Sequence, residues 1–117
     1  LSTLHGVNPT GTAYLSNMSA YGAERSITQI YHFWFADGTD FDEVGVSRVG
    51  PAPGYVVGGP NASYSGNAFV SNATPPAKAT LDWNTSDENS RAWEISEPAI
   101  YYQSAYLRLL AGVASAG

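Results

Sequence analysis

The stretch WEISEPAIYYQSAYLRLLAGV, residues 93–113, decides the fold expected of this chain. From Pro98 onward, one helical face is traced at three- and four-residue spacing by Ala99, Ile100, Gln103, Tyr106, Leu107, Leu110 and Val113. Pro98 suits the first turn of a helix, where a backbone N–H would have no partner, and Ser96 or Glu97 can cap that turn. The pattern therefore predicts a helix over residues 98–113.

A second helix is predicted over residues 24–36, because Ile27, Ile30, Tyr31, Trp34 and Phe35 repeat with helical spacing. Residues 41–92 are predicted to be mostly irregular, with turn signals at residues 50–54 and 58–61. Irregular stretches of this length in a compact domain are usually functional. A helix with one apolar face must bury it against another element. Because only two helices are predicted, the elements that cover their apolar faces are expected to lie outside this chain.

Composition excludes several classes of function. The chain has 117 residues, a net charge of −5 and no run of Lys or Arg, which argues against nucleic acid and anionic membranes as partners. No apolar stretch approaches the length of a membrane span, and cysteine is absent. Neither His5 nor His32 has a partner at metal-ligand spacing, so no metal or other cofactor is expected. Glycosylation sequons begin at Asn17, Asn61, Asn72 and Asn84.

Glu97 is the candidate for acid chemistry. It precedes Pro98 and has Trp93 and Tyr102 nearby in sequence. A carboxyl held against aromatic rings keeps its proton at a higher pH, and ring faces can stack on a sugar. The positive end of the helix dipole has the opposite effect, because it favours the ionised form of a carboxyl at the helix N-terminus. The alternative is therefore that Glu97 is an ionised carboxylate at the start of the helix with no catalytic role. Glu94 is expected to be structural or solvent-facing.

Three motifs in the same order resemble the C-terminal part of the catalytic domain of glycoside hydrolase family 9, the cellulase family. The first motif is Asn8-Pro9 with Tyr14-Leu15-Ser16 and His32. The second runs from Gly50-Pro51-Ala52-Pro53-Gly54 to Gly58-Gly59-Pro60-Asn61. The third comprises Glu88, Trp93, Glu97, Ala99, Gln103 and Ser104. The resemblance extends over nearly the whole chain.

The chain departs from the family pattern at several positions. Glu88 replaces an Asp, Gln103 replaces an Asn, and Trp34 stands where the family has a sugar-binding Arg. The paired Asp residues of the family's Asp-Ala-Gly-Asp motif do not occur in this sequence. The resemblance therefore implies that the catalytic base belongs to an upstream part of the domain.

The resemblance implies an all-α fold for residues 1–117, as the C-terminal part of an (α/α)6 barrel with few helices and long irregular loops. It implies a secreted, inverting hydrolase that cleaves β-1,4-glucosidic bonds of cellulose or related β-glucans. Glu97 would be the general acid and Glu88 a second catalytic carboxylate. Substrate would be bound by His32, Trp34, Trp93 and Tyr102. The partners would be a β-glucan and the upstream part of the domain, without which the chain should be close to inactive.

Other interpretations stay open. A non-catalytic carbohydrate-binding module, usually a β-sandwich, has a similar acidic and aromatic composition, and an inactive proteolytic remnant is a third possibility. His32 is equally explained as a core or surface residue, and Trp93 and Tyr102 as packing residues. Asp82, Asp87 and Glu88 would then be loop caps or supports.

Overall fold

The computed structural model describes residues 1–31, 50–66, 70, 73–85 and 87–117. Its regular elements are β1 (Ala13–Ser16), β2 (Ser26–Ile27), α1 (Trp93–Ser96) and α2 (Ile100–Ala116). Short 3-10 turns occur at Met18–Tyr21, Pro76–Lys78 and Glu88–Ser90. The all-α prediction, including the barrel segment, is therefore wrong. In the described ranges, two α-helices accompany a parallel two-stranded sheet and long extended segments.

The predicted helix over residues 24–36 is wrong wherever the structure describes it. Ser26–Ile27 forms β2, and the chain that follows makes hydrogen bonds to distant residues instead of to its own preceding turn. The backbone N–H of Gln29 donates to the Asp82 carboxylate at 2.8 Å, and that of Tyr31 donates to the Ser96 carbonyl at 3.0 Å. Because remote acceptors take these amides, the segment does not form a helix. Residues 32–36 lie outside the described part of the chain.

Strand β1 is the centre of the fold, and all four of its residues are buried. It pairs in parallel with β2, and Leu15 forms an antiparallel bridge with Val56. The Tyr14 N–H donates to the Leu4 carbonyl at 2.9 Å, which brings the N-terminal turn against the same strand. Burial on both sides explains why the sequence of β1 does not alternate between apolar and polar residues.

Among the residues that the structure describes, two apolar clusters form the core. The first comprises Tyr14, Ile27, Ile30 and Val57, with Leu4 packed against it. The second comprises Tyr64, Val70, Ala79 and Ile95, with Leu81 at its margin. Ile95 belongs to α1, so this short helix is fixed to the core through one apolar side chain.

Helix α2 was correctly expected, but it begins at Ile100 rather than at Pro98. Pro98 instead pairs with Val57 in an antiparallel bridge, and Ala99 has extended backbone, so no side chain caps the helix. No residue of α2 is buried, and Ile100 is 83% exposed. Among the described residues, no helix combines the length and apolarity needed to span a bilayer.

Candidate functional site

Glu97 lies in the bend between α1 and α2. It is the first residue after α1, with the extended backbone angles φ −72° and ψ 125°. Its residue surface is exposed, whereas the flanking Ser96 and Pro98 are buried. The backbone of Glu97 is therefore held between two buried neighbours while its side chain lies at the surface. The expected N-terminal cap of α2 is wrong, because Glu97 ends α1 instead.

The carbonyl groups of residues 94–97, here called the acid segment, are all hydrogen-bonded to distant parts of the chain. A helix of four residues cannot satisfy its own last carbonyls, so they need outside donors. The Glu94 carbonyl accepts the Asn61 side-chain nitrogen at 3.1 Å, and the Ile95 carbonyl accepts the Gly59 N–H at 2.8 Å. The Ser96 carbonyl accepts the Tyr31 N–H at 3.0 Å, and the Glu97 carbonyl accepts the Gly58 N–H at 3.2 Å. Three of these four donors come from the Gly-Gly-Pro-Asn loop, residues 58–61.

The Gly-Gly-Pro-Asn loop is itself fixed in place. Gly59 has a positive φ of 73°, and a Cβ built there would lie 3.7 Å from the Tyr14 ring. The Asn61 N–H donates to the Ala79 carbonyl at 2.7 Å. The second and third sequence motifs are therefore in direct contact, and the loop's backbone and side-chain donors hold the acid segment.

Trp93 is packed between a cation and another ring. The Arg91 guanidinium lies 5.3 Å from the Trp93 ring centroid. The Tyr31 ring lies 5.7 Å away at an interplanar angle of 60°. Arg91 also forms an ion pair with Glu94, whose second carboxylate oxygen accepts the Ser65 N–H at 3.0 Å. Trp93 therefore has a packing role in this structure, and Glu94 has the structural role expected of it.

Tyr102 lies within electrostatic range of Glu97. Its hydrogen bond to Tyr101, its partial burial and the charges of Tyr101 and Glu97 raise the pKa of Tyr102 above its usual value of 10.0. The Tyr101 and Tyr102 rings pack edge to face with centroids 4.5 Å apart. The phenol of Tyr102 therefore stays protonated at neutral pH and remains a hydrogen-bond donor beside the acid.

An open groove of about 300 Å³ lies next to the acid segment. It runs between α2 and the segment that contains Val56 and Val57, and both Gly58 and Tyr102 line it. Its volume is at the lower end of the range for small-ligand pockets. The groove is therefore lined both by Gly58, whose N–H donates to the Glu97 carbonyl, and by Tyr102, whose pKa the Glu97 charge helps to raise.

Glu88 and Asp82 have different surroundings. Glu88 lies in an exposed 3-10 turn capped by Asp87, whose carboxylate accepts the Asn89 N–H at 2.9 Å. Within the described residues, the Glu88 carboxylate makes no hydrogen bond or ion pair. Asp82 accepts the Thr28 hydroxyl at 2.7 Å together with two backbone N–H groups, so it is a loop support. The structure does not bring either side chain into contact with Glu97.

Two predicted substrate residues, His32 and Trp34, lie outside the described residues, and their roles stay predictions. Asn61 is the residue whose role sequence reasoning missed, since it was interpreted as part of a turn, a sequon and a family motif but not as a support of Glu97. The side-chain oxygen of Asn61 accepts the Ser63 N–H at 2.9 Å in an Asx turn. The sequence signal for this turn was the serine two positions after Asn61. Searched over the described ranges, the structure has no cluster of three potential metal ligands.

Comparison with known families identifies the chain's relatives. Neither a curated protein nor a solved structure matches it. The model of the family described as glycosyl hydrolase family 9 matches residues 1–110 of the 117. That range contains all three motifs, including the acid segment and the loop that holds it. The resemblance inferred from sequence is thus confirmed: the chain belongs to glycosyl hydrolase family 9, and its chemistry is glycoside hydrolysis.

Proposed function

We propose that Glu97 is the general acid of an inverting hydrolase that cleaves β-1,4-glucosidic bonds in cellulose or related β-glucans. The observation that supports this proposal is the fixed backbone of the acid segment, whose four carbonyls accept hydrogen bonds from remote donors. Glu97 itself is exposed. A general acid must be held within hydrogen-bond reach of the oxygen that it protonates. A rigid backbone with an accessible carboxyl meets that requirement.

In this mechanism, protonated Glu97 donates its proton to the glycosidic oxygen as the bond between that oxygen and the anomeric carbon breaks. A water molecule attacks the anomeric carbon from the opposite face, and a second carboxylate accepts the proton of the water. The two carboxyl groups of an inverting enzyme stand roughly 6.5–9.5 Å apart, which leaves room for that water. The second carboxylate is an Asp from sequence outside these 117 residues.

A neutral glucan fits the chemistry of the surrounding residues. Tyr102 supplies a ring and a phenol donor beside the acid, and Trp93 supplies a partly exposed ring. His32 and Trp34 contact the sugar near the cleaved bond, and Glu88 is an auxiliary carboxylate. The net charge of −5 disfavours polyanionic substrates but does not oppose an uncharged polysaccharide. A polymeric glucan is met outside the cell, so the protein acts as a secreted enzyme.

The test of Glu97 uses the complete protein and two substrates that differ in leaving group. Cellopentaose needs a proton on its departing oxygen, whereas 2,4-dinitrophenyl β-cellobioside releases a stable phenolate without one. Glu97→Gln is expected to lower kcat on cellopentaose by about 10²-fold or more. The loss on the dinitrophenyl substrate should be much smaller. Equal activity of Glu97→Gln and the parent on cellopentaose would remove Glu97 from the acid role.

Two further measurements complete this test. Glu24→Gln is the matched control, because Glu24 is an exposed carboxylate outside the proposed site, and its activity should equal that of the parent. Proton NMR of the first products should show the α-anomer, because inversion at a β-linkage gives that configuration. Initial release of the β-anomer would contradict the inverting mechanism while leaving Glu97 as a candidate acid.

A further inference from the structure

We propose that Asn61 is a positioning residue for Glu97. This inference rests on the proposed function of Glu97, and it concerns a side chain that does not itself touch the substrate. The side-chain nitrogen of Asn61 donates at 3.1 Å to the carbonyl of Glu94, three residues before the acid. Of the four donors to the acid segment, Asn61 alone donates through a side chain. It is therefore the contact that a substitution can remove cleanly.

Asn61 is suited to position the acid because each of its backbone and side-chain polar atoms has a hydrogen-bond partner. Its N–H donates to the Ala79 carbonyl at 2.7 Å, and its carbonyl accepts the Tyr64 N–H at 3.0 Å. Its side-chain oxygen accepts the Ser63 N–H at 2.9 Å, which leaves the side-chain nitrogen directed at the Glu94 carbonyl. The amide therefore has one orientation that satisfies every partner.

The loop after Asn61 holds Glu94 at a second point. The Ser65 N–H donates to a Glu94 carboxylate oxygen at 3.0 Å, and the other oxygen pairs with Arg91. One loop thus binds both the main chain and the side chain of Glu94. Because Glu97 directly follows α1, the four-residue helix that contains Glu94, rotation of Glu94 moves the acid. A displacement of about 1 Å at a catalytic group can cost about 10²-fold in rate.

The test replaces the donor and keeps the shape. Asn61→Asp retains the acceptor for the Ser63 N–H but presents a carboxylate to the Glu94 carbonyl. In the complete protein, it is expected to lower kcat on cellopentaose by about ten-fold or more, with KM nearly unchanged. Activity on 2,4-dinitrophenyl β-cellobioside should fall by less than about two-fold, because that leaving group does not need the acid.

A second readout does not depend on activity. The N–H groups of Gly58 and Gly59 donate to carbonyls of the acid segment. Loosening that segment should speed their hydrogen exchange by about ten-fold in Asn61→Asp. Asn61→Ala, which removes the donor without adding a charge, is measured in parallel and judged by the same criteria if Asn61→Asp does not fold.

Asn8→Asp is the matched control. The Asn8 side-chain nitrogen also donates to backbone carbonyls, those of Thr3 and Thr12 at 2.8 Å, but none of its partners belongs to the acid segment. Asn8→Asp should lower the Tm without a selective loss on cellopentaose. The positioning role is overturned if Asn61→Asp loses activity equally on both substrates, or if Gly58 and Gly59 exchange at the parental rate. A selective loss in Glu97→Gln combined with normal Asn61→Asp kinetics rejects this inference and leaves the acid assignment intact.

Discussion

The side-chain amide of Gln103 pairs with both backbone polar groups of Val56. The Val56 N–H donates to the Gln103 side-chain oxygen at 3.0 Å, and the Gln103 side-chain nitrogen donates to the Val56 carbonyl at 2.8 Å. The amide thus binds the Val56 backbone as a neighbouring strand would. On the β1 side, Leu15 forms a bridge with Val56. The Gln103 side chain therefore connects the first turn of α2 to the centre of the fold.

Gln103→Glu should destabilise the protein by about 1–3 kcal/mol, because it removes the donor to the Val56 carbonyl and places a carboxylate against it. Urea unfolding measures the change in the free energy of unfolding. Ser104→Ala, at the next and exposed position, should change that free energy by less than about 0.5 kcal/mol. Similar losses in both variants would show that the Gln103 amide is not the connection.

Gly59→Ala should cost about 1–2 kcal/mol, because Gly59 has a φ of 73°, where an L side chain is strained. Gly112→Ala is the matched substitution in the exposed part of α2, where nothing lies within 4 Å of a built Cβ. It should stabilise the protein by about 0.5–1 kcal/mol, as alanine does in helix interiors. Thermal unfolding of the two variants should therefore move the Tm in opposite directions, and shifts of the same sign would contradict the backbone assignment.

Tyr64→Phe should destabilise the protein by about 1–3 kcal/mol near neutral pH, because the buried Tyr64 hydroxyl donates to the buried Ser90 carbonyl. Burial and the charge of Glu94 raise the pKa of Tyr64 above 10.0. A raised pKa in the folded state means that this stabilisation is complete below pH 10 and is lost as pH rises through the folded value.

The stability difference between the parent and Tyr64→Phe should therefore shrink on going from about pH 8 to about pH 11. Urea unfolding at both pH values measures it. Tyr21→Phe serves as the control, since Tyr21 is 71% exposed. A difference that stays constant over this range would mean that Tyr64 does not contribute to alkaline unfolding.

In folded protein secreted from a eukaryotic host, the three sequon asparagines that the structure describes, Asn17, Asn61 and Asn84, should carry no glycan. Asn84 is fully buried, and the side-chain nitrogens of Asn17 and Asn61 donate to the carbonyls of Pro51 and Glu94. A glycan on any of these nitrogens would displace a buried or hydrogen-bonded group. Mass spectrometry of peptides from the folded, secreted fraction measures the occupancy, and a glycan at Asn84 in that fraction would contradict the placement of this residue.

Sequence periodicity predicted α2 well but failed for residues 24–31. The apolar spacing of Ile27 and Ile30 fits a helical face, yet both residues are buried without a helix, Ile27 in β2 and Ile30 in the irregular segment that follows. What decides the conformation there is the set of acceptors on Asp82 and Ser96, far along the chain. Local spacing does not contain that information. The start of α2 shifted for the same reason, because Pro98 pairs with Val57.

The candidate site was predicted as separate motifs, without their geometry. The position of Glu97 followed from the motif around it, and the Gly-Gly-Pro-Asn loop was predicted as a turn that belongs to the second motif. That the loop donates three hydrogen bonds to the acid segment depends on tertiary contacts between residues 58–61 and 94–97. The packing of Trp93 under Arg91 likewise depends on the left-handed backbone of Arg91, with φ 48°. Residue types alone do not specify either contact.

The hydrogen bonds of the acid segment also have a consequence for the order of folding. Their donors, at Tyr31, Gly58, Gly59 and Asn61, all lie far from residues 94–97 in sequence. Contacts between distant parts of a chain form late, because closing long loops costs entropy before any contact rewards it. The acid segment should therefore be among the last parts of the molecule to become ordered. During refolding of the complete protein, activity would then return after the helical signal of α2, whose hydrogen bonds are local.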